Sequence, residues 1–175
     1  MDIKIISGGQ TGVDQGALEA AIRAGIAHGG TCPLGRKSED GVIPVRYELT
    51  EHWSDQYPPR TAMNISQSDG TLILVHQGAL QSSRGTQLTQ EMCIKQRKPH
   101  LVLDPKDLKG VEIAVSWLEQ LELDIQRVPS VLEMFGGDVQ DEPLVLNVAG
   151  PRDSRAPGIF DETVKFLGRV LERVS

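Results

Sequence analysis

Ser7-Gly8-Gly9-Gln10-Thr11-Gly12 joins glycines to hydroxyl and amide side chains directly after an apolar run, Ile3-Lys4-Ile5-Ile6. These residue types suit an oxyanion. Glycine lets a ligand approach the backbone, free N–H groups at a helix start point toward negative charge, and Ser or Thr hydroxyls complete the donor set. Two further stretches repeat the combination: Gly85-Thr86 with Thr89 follows the run 71–75, and Gly150-Pro151-Arg152 follows the run 144–148. Arg152 could grip a phosphate through both guanidinium nitrogens or form a surface ion pair, and both readings stay open. Arg60-Thr61 would add a guanidinium and a hydroxyl to the same edge. The candidate binding residues are therefore Ser7, Gly8, Gly9, Gln10, Thr11, Gly12, Arg60, Thr61, Gly85, Thr86, Thr89, Gly150 and Arg152. For the first loop alone, a tight strand-to-helix turn with Thr11 as N-cap is an equal alternative.

Several familiar chemistries do not fit. No Lys follows the first glycines, and the spacing is not G-x-G-x-x-G. No G-x-S-x-G elbow exists, so Ser7 is not expected to act as an acyl-transfer nucleophile. His28 and Cys32 are four apart with two glycines between them, and no further Cys/His cluster completes a site, so no protein-ligated metal is expected. Asp14 and Glu91 are the carboxylates best placed for acid–base work, although Asp14 also reads as an early-helix group. Arg36 and Lys37, in the turn-rich stretch 32–41, read as solvated charges, and His76 ends a strand near the proposed edge.

The elements that must position these residues alternate. Strand-like runs at 3–6, 71–75, 100–104 and 144–148 are interleaved with helix-like runs at 13–24, 61–66, 86–98, 111–121 and 158–174. Gly25 stops the first helix. The stretch 26–60 is rich in Gly and Pro, with short strand candidates at 26–28 and 46–49, and 104–110 and 134–143 read as loops. Strands alternating with helices of this length predict an α/β fold, a mostly parallel sheet flanked by helices, and one domain over 1–175. In such a sheet ligands bind beyond the carboxyl ends of the strands, where all three glycine-bearing junctions fall. Composition bounds the partners. A formal charge of −6 argues against a nucleic-acid phosphate backbone, and two Trp, two Tyr and three Phe leave few rings for stacking bases. No apolar stretch approaches membrane-spanning length, no signal peptide opens the chain, and two cysteines make no disulfide framework, so the expected location is cytoplasmic.

Taken together, 7–14 (SGGQTGVD), 32–41 (CPLGRKSEDG), Arg60-Thr61, 68–71 (SDGT), Gly85-Thr86 and 149–152 (AGPR) resemble the putative molybdenum carrier family. That family lies within a broader Rossmann-like group containing the LOG phosphoribohydrolases and molybdenum cofactor carriers. The resemblance runs over nearly the whole chain. It implies a three-layer, circularly permuted Rossmann-like sheet, a nucleotide-like or molybdopterin-like ligand such as molybdenum cofactor, and a homo-oligomer of two or four copies. The hydrolase relatives carry Pro-Gly-Gly-x-Gly-Thr-x-x-Glu, whose Glu acts in cleavage. Here Thr89 stands at that Glu position, Ser82-Ser83-Arg84 replaces the Pro-Gly-Gly approach, and Glu91 is displaced by about 200° around the helix. The expected function is thus carriage of a small phosphorylated heterocycle with no catalytic residue, and Thr89 is expected to donate its hydroxyl to a bound phosphate. The alternative is a nucleoside-monophosphate phosphoribohydrolase using Glu91 or Asp14. A third reading is a ligand-sensing subunit without chemistry.

Overall fold

Nine strands and five α-helices make up the described part of the chain, which in this computed structural model comprises residues 1–78, 83–107, 109–126 and 142–175. The strands are β1 (Ile3–Ile6), β2 (His28–Gly29), β3 (Thr31–Cys32), β4 (Lys37–Ser38), β5 (Gly41–Val42), β6 (Thr50–Glu51), β7 (Gly70–Leu74), β8 (His100–Leu103) and β9 (Leu144–Ala149). The helices are α1 (Val13–Ala24), α2 (Tyr57–Ser66), α3 (Arg84–Gln96), α4 (Gly110–Gln126) and α5 (Ile159–Val174). A central sheet of five parallel strands runs in the order β2-β1-β9-β7-β8. Counting β9 as the first strand converts this to 3-2-1-4-5, the order of a doubly wound nucleotide-binding sheet. The strand that opens such a sheet is therefore carried at the end of this chain, which is a circular permutation read from topology.

Side chains of a strand alternate between faces, and both faces here are used. Ile3, Ile5, Leu72, Leu74, Leu144, Leu146 and Val148 pack against α1, α4 and α5. Helix α5 supplies Ile159, Phe166, Leu167, Val170, Leu171 and Val174 at three- and four-residue spacing, the stripe a core-facing helix requires. Helices α1 and α5 approach closely because Gly16 has no side chain: a Cβ there would lie 2.8 Å from the Phe160 carbonyl oxygen. Helix α3 covers the opposite face, where Cys93 meets Thr71 and where Asn147 Nδ2 donates to Thr71 Oγ1 at 3.2 Å. Among the described residues no helix is long and apolar enough to cross a membrane.

The elements depart from expectation in informative places. Helix α2 begins at Tyr57, four residues early, because Pro58 and Pro59 occupy its first turn, where a missing N–H costs nothing. Helix α4 continues to Gln126 and α3 begins at Arg84. The strand candidate at 26–28 becomes β2, shifted to His28–Gly29. The candidate at 46–49 is not a strand: Tyr47 and Leu49 make turn bonds to Pro44 and Tyr47, and the strand lies next door as β6, paired with β3. The cause is Arg36, read from sequence as a solvated charge. Its guanidinium donates to the carbonyl oxygens of Ile43, Pro44, Tyr47 and Leu49 at 2.9–3.1 Å, collecting acceptors that a strand would have presented to a neighbour. Below it Leu18, Cys32, Ile43 and Tyr47 form a second small core. Most of the loop expected over 134–143, and the centre of the one over 76–84, lie outside the described residues.

Candidate ligand cleft

Strand β1 leads outward to β2 while β7 leads to β8 on the other side, so the chain changes direction across β9. Ligands of doubly wound sheets bind at such a switch point, beyond the carboxyl ends of the strands. A cleft of about 280 Å³ opens there. Its floor is Asp14 with Asn147, Ala149 and Gly150 of the β9 end. One wall is α2, through Tyr57, Arg60, Thr61 and Asn64. The other is the start of α3, through Ser83, Arg84, Gly85, Thr86 and Thr89, and Gln10, Pro151, Arg152 and Arg155 close the edge. Among the described residues the lining thus holds four arginines and one carboxylate, in a chain whose formal charge is −6. That concentration of positive charge favours an anionic occupant.

Asp14 and Arg60 form the deepest charged pair. Arg60 Nη1 lies 3.1 Å from Asp14 Oδ2, which also accepts the Gln10 N–H at 3.2 Å. The two side chains are 11% and 4% exposed. Burial pushes the Asp14 carboxyl above its ordinary range, and the Arg60 charge and the Gln10 N–H work against that rise. Arg60 Nε is buried and has no acceptor among the described residues, so it remains a donor in want of a partner. The guanidinium reaches Asp14 only because Gly8 has no side chain: a Cβ at Gly8 would fall 1.3 Å from Arg60 Nη1.

This changes the reading of the first glycine loop. Ser7, Gly8, Gly9, Thr11 and Gly12 do not border the cleft, and only Gln10 of that loop does. The Ser7 hydroxyl donates to the Val148 carbonyl at 2.6 Å. A Cβ on Gly9 would meet Leu49 and Ile43, and one on Gly12 would lie 2.5 Å from the Pro151 oxygen. Gly12 adopts φ 75°, ψ −124°, a conformation open to glycine alone, and it serves as N-cap of α1 without any side-chain cap, so Thr11 is not the cap either. The Thr11 hydroxyl instead donates to Glu39. Small residues are crowded here so that protein packs on protein.

The other two junctions border the cleft. At the start of α3 the Ser83 side chain makes no cap bond, so among the described residues no side chain caps the first-turn N–H groups. A Cβ on Gly85 would meet nothing within 4 Å, so this glycine borders open space. Thr86 Oγ1 pairs with Ser83 Oγ at 2.7 Å. Thr89 borders the cleft, but its hydroxyl donates to the Gly85 carbonyl at 3.1 Å, the back-bond of a helical Thr, rather than standing ready for a phosphate. Thr61 does the same toward Tyr57 at 3.1 Å. Gly150 lets the ends of β9 and β7 meet, since a Cβ would lie 2.3 Å from the Leu74 oxygen. Arg152 is 42% exposed and stands 3.7 Å from Glu39, so the ion pair and the cleft position occur together. Glu91 is exposed and does not border the cleft, because its position on α3 faces away from Gly85 and Thr89. His76 bonds Glu162 at 2.6 Å and is likewise not in the lining.

Tyr57, Asn64, Arg84, Asn147 and Arg155 line the cleft without having been singled out from sequence. Tyr57, Arg60, Thr61 and Asn64 follow helical one-face spacing, a signal that extending Arg60-Thr61 by a turn in each direction would have found. Asn147 is a polar interruption in an apolar strand run. Among the described residues no group of three or more His, Cys, Asp or Glu could hold a metal ion.

Residues 5–130 match the circularly permutated YpsA SLOG family. The chain belongs to that family. It is also similar to a putative molybdenum carrier protein from Syntrophus aciditrophicus SB, known from a crystal structure at 1.45 Å resolution. The two are 36% identical and align with a TM-score of 0.77, over 96% of this chain and 94% of the other. No curated protein matches the chain.

Proposed function

We propose that this SLOG-family chain is a carrier that holds a small phosphorylated heterocycle, molybdopterin-like or nucleotide-like, in the cleft at the end of β9. One observation carries the reading: among the described residues, four arginines and the open-faced start of α3 converge on a switch-point cleft whose one lining carboxylate, Asp14, is already paired. Arginines and α3 N–H groups suit phosphoryl oxygens, and the amides of Asn64 and Asn147 suit the polar edge of a heterocycle. The similar protein named a molybdenum carrier supports molybdenum cofactor as the cargo. Neither cysteine borders the cleft, so the cargo would be held through its phosphate and ring and not by a thiolate on its metal. The proposal includes assembly into two or four copies, which light scattering reads directly.

A thermal panel tests the cargo. A ligand that binds only the folded chain stabilises it by about 2.7 kcal/mol at a hundred times its dissociation constant. That corresponds to a rise of roughly 5–10 °C for a chain of this size. Nucleoside monophosphates and pterin phosphates are expected to give such shifts, with inorganic phosphate and molybdate well below them. Equal shifts for the simple ions would remove the heterocycle from the proposal.

A second reading, a nucleoside-monophosphate phosphoribohydrolase, is favoured by one feature: Asp14 borders the cleft with its carboxyl raised by burial, the condition of a general acid. Its test is multiple-turnover release of free base from AMP, GMP or CMP that disappears in Asp14→Asn. The carrier reading expects no such release.

A further inference from the structure

Glu39 draws four donors toward its two oxygens. Oε1 accepts the Thr11 hydroxyl and the Ser154 N–H, the latter at 3.2 Å. Oε2 accepts the Ser154 hydroxyl at 2.5 Å and faces Arg152 Nη1 at 3.7 Å. Two hydroxyls, a backbone N–H and a guanidinium are the donor set that a phosphate-type oxyanion takes. Burial works against ionisation of Glu39, yet the bonds from Ser154 and Thr11 outweigh it and hold the carboxyl below its ordinary range, so it occupies the donors as an anion.

The place adjoins the cleft. Arg152 borders both, and the amide oxygen of the cleft residue Gln10 accepts the Glu39 N–H at 2.9 Å. Glu39 is also carried on a largely exposed hairpin. It stands in the two-residue turn between β4 and β5, whose Lys37, Asp40, Gly41 and Val42 are exposed. The loop is closed at its base by Ile43 N–H donating to the Arg36 carbonyl at 2.7 Å. Arg36 and Ile43 are the anchored ends, the first by its four carbonyl contacts and the second by the small core. Apart from a 4.0 Å Lys37–Asp55 pair, the described side-chain bonds tying the tip to the rest of the chain run through Glu39. Swinging the turn out would release Glu39 and expose the buried Ser38, while Ile43 stays packed in the small core.

We propose that Thr11, Ser154 and Arg152 form an oxyanion subsite at the mouth of the cleft, and that Glu39 fills it as an internal competitor that an incoming tetrahedral oxyanion displaces. The subsite rests on the cleft reading only for its neighbour; its own donors are defined without a heterocycle. A carboxylate kept merely to fasten the loop predicts the opposite sign on removal: a looser edge and weaker or unchanged anion binding.

The experiment titrates inorganic phosphate, molybdate and AMP into the full chain by calorimetry, for wild type, Glu39→Gln and Glu39→Ala. Glutamine preserves the shape of the turn and removes the competing charge, so the result does not depend on the alanine variant folding. Phosphate or molybdate is expected to bind at least about tenfold tighter to both variants, the loss of a charge-assisted competitor expressed as affinity. Adding Ser154→Ala and Thr11→Val to Glu39→Gln should abolish the gain. A gain shared by AMP assigns the subsite to the phosphoryl group of an organic ligand, and a gain confined to the inorganic ions assigns it to a free oxyanion. Unchanged or weaker binding of both inorganic ions in Glu39→Gln overturns the proposal. If wild type binds no phosphorylated heterocycle while the variants gain phosphate, the cleft reading fails and the subsite stands.

Discussion

Two strand-to-helix junctions in this molecule are written in nearly the same alphabet and do different work. The junction after β1 holds Gly8, Gly9 and Gly12, and every one of them is pressed by protein: by Arg60, by Ile43 and Leu49, and by the Pro151–Asp153 backbone. The start of α3 holds Gly85, and nothing lies where its side chain would be. In the first the missing side chains let a buried ion pair form and let the 150–154 turn dock on α1. In the second the missing side chain leaves room beside the first-turn N–H groups of α3. A glycine-rich loop at the carboxyl edge of a sheet is thus a statement that something comes close, and the neighbour decides whether that something is the chain itself or a ligand.

The comparison is broken most severely at Arg60. Arg60→Ala leaves the Asp14 carboxyl buried without its partner, which typically costs about 3–5 kcal/mol in denaturant unfolding. The loss should depend on pH in a fixed direction. Burial already raises the Asp14 carboxyl, and removing Arg60 raises it further. A raised folded-state pKa gives stability that is present in acid and lost as pH climbs through it. The variant should therefore be closer to wild type near pH 5 than near pH 8, and a deficit independent of pH would contradict the burial account. Next comes Gly12→Ala, where a backbone conformation closed to alanine and a 2.5 Å approach to the Pro151 oxygen should together cost about 2–4 kcal/mol.

Gly85→Ala should separate the two junctions by sign. It lies in the first turn of a helix with open space beside it, so stability should rise by about 0.5–1 kcal/mol while binding of a phosphorylated heterocycle weakens. A variant destabilised like Gly12→Ala would make the two junctions equivalent. The smallest effect is expected at Glu39. Its lowered carboxyl gives stability above the ordinary carboxylate range that is lost as pH falls through the folded-state value. The melting difference between wild type and Glu39→Gln should be present at pH 7 and vanish in strong acid, and a difference that grows in acid would contradict the lowered carboxyl.

Much of the fold was legible because its signals are local. The apolar runs of β1, β7 and β9 and the stripe of α5 report burial residue by residue, and Gly25 marks the end of α1 in the left-handed conformation expected of it. The stretch 26–60 was not legible, since its order comes from one long side chain, Arg36, gathering carbonyls up to thirteen residues away. The cleft was half legible. Gln10, Arg60, Thr61, Gly85, Thr86, Thr89, Gly150 and Arg152 all border it, but the hydroxyls of Thr61 and Thr89 turn back onto their own helices. Ser7, Gly8, Gly9 and Gly12 look like ligand groups in sequence because packing contacts and ligand contacts ask for the same small residues. Asp14 and Arg60, apart by 46 positions, meet only through the fold.

The most direct test of the cleft follows backbone amide resonances of the full chain while AMP, GMP and a pterin phosphate are added in turn. The account predicts that at least one of them shifts the amides of Gly85, Thr86, Gly150 and Arg152 saturably, and that Gly85→Val abolishes those shifts while the spectrum stays that of a folded chain. Failure of all three ligands to move these amides, or saturable shifts confined to another part of the molecule, would contradict it.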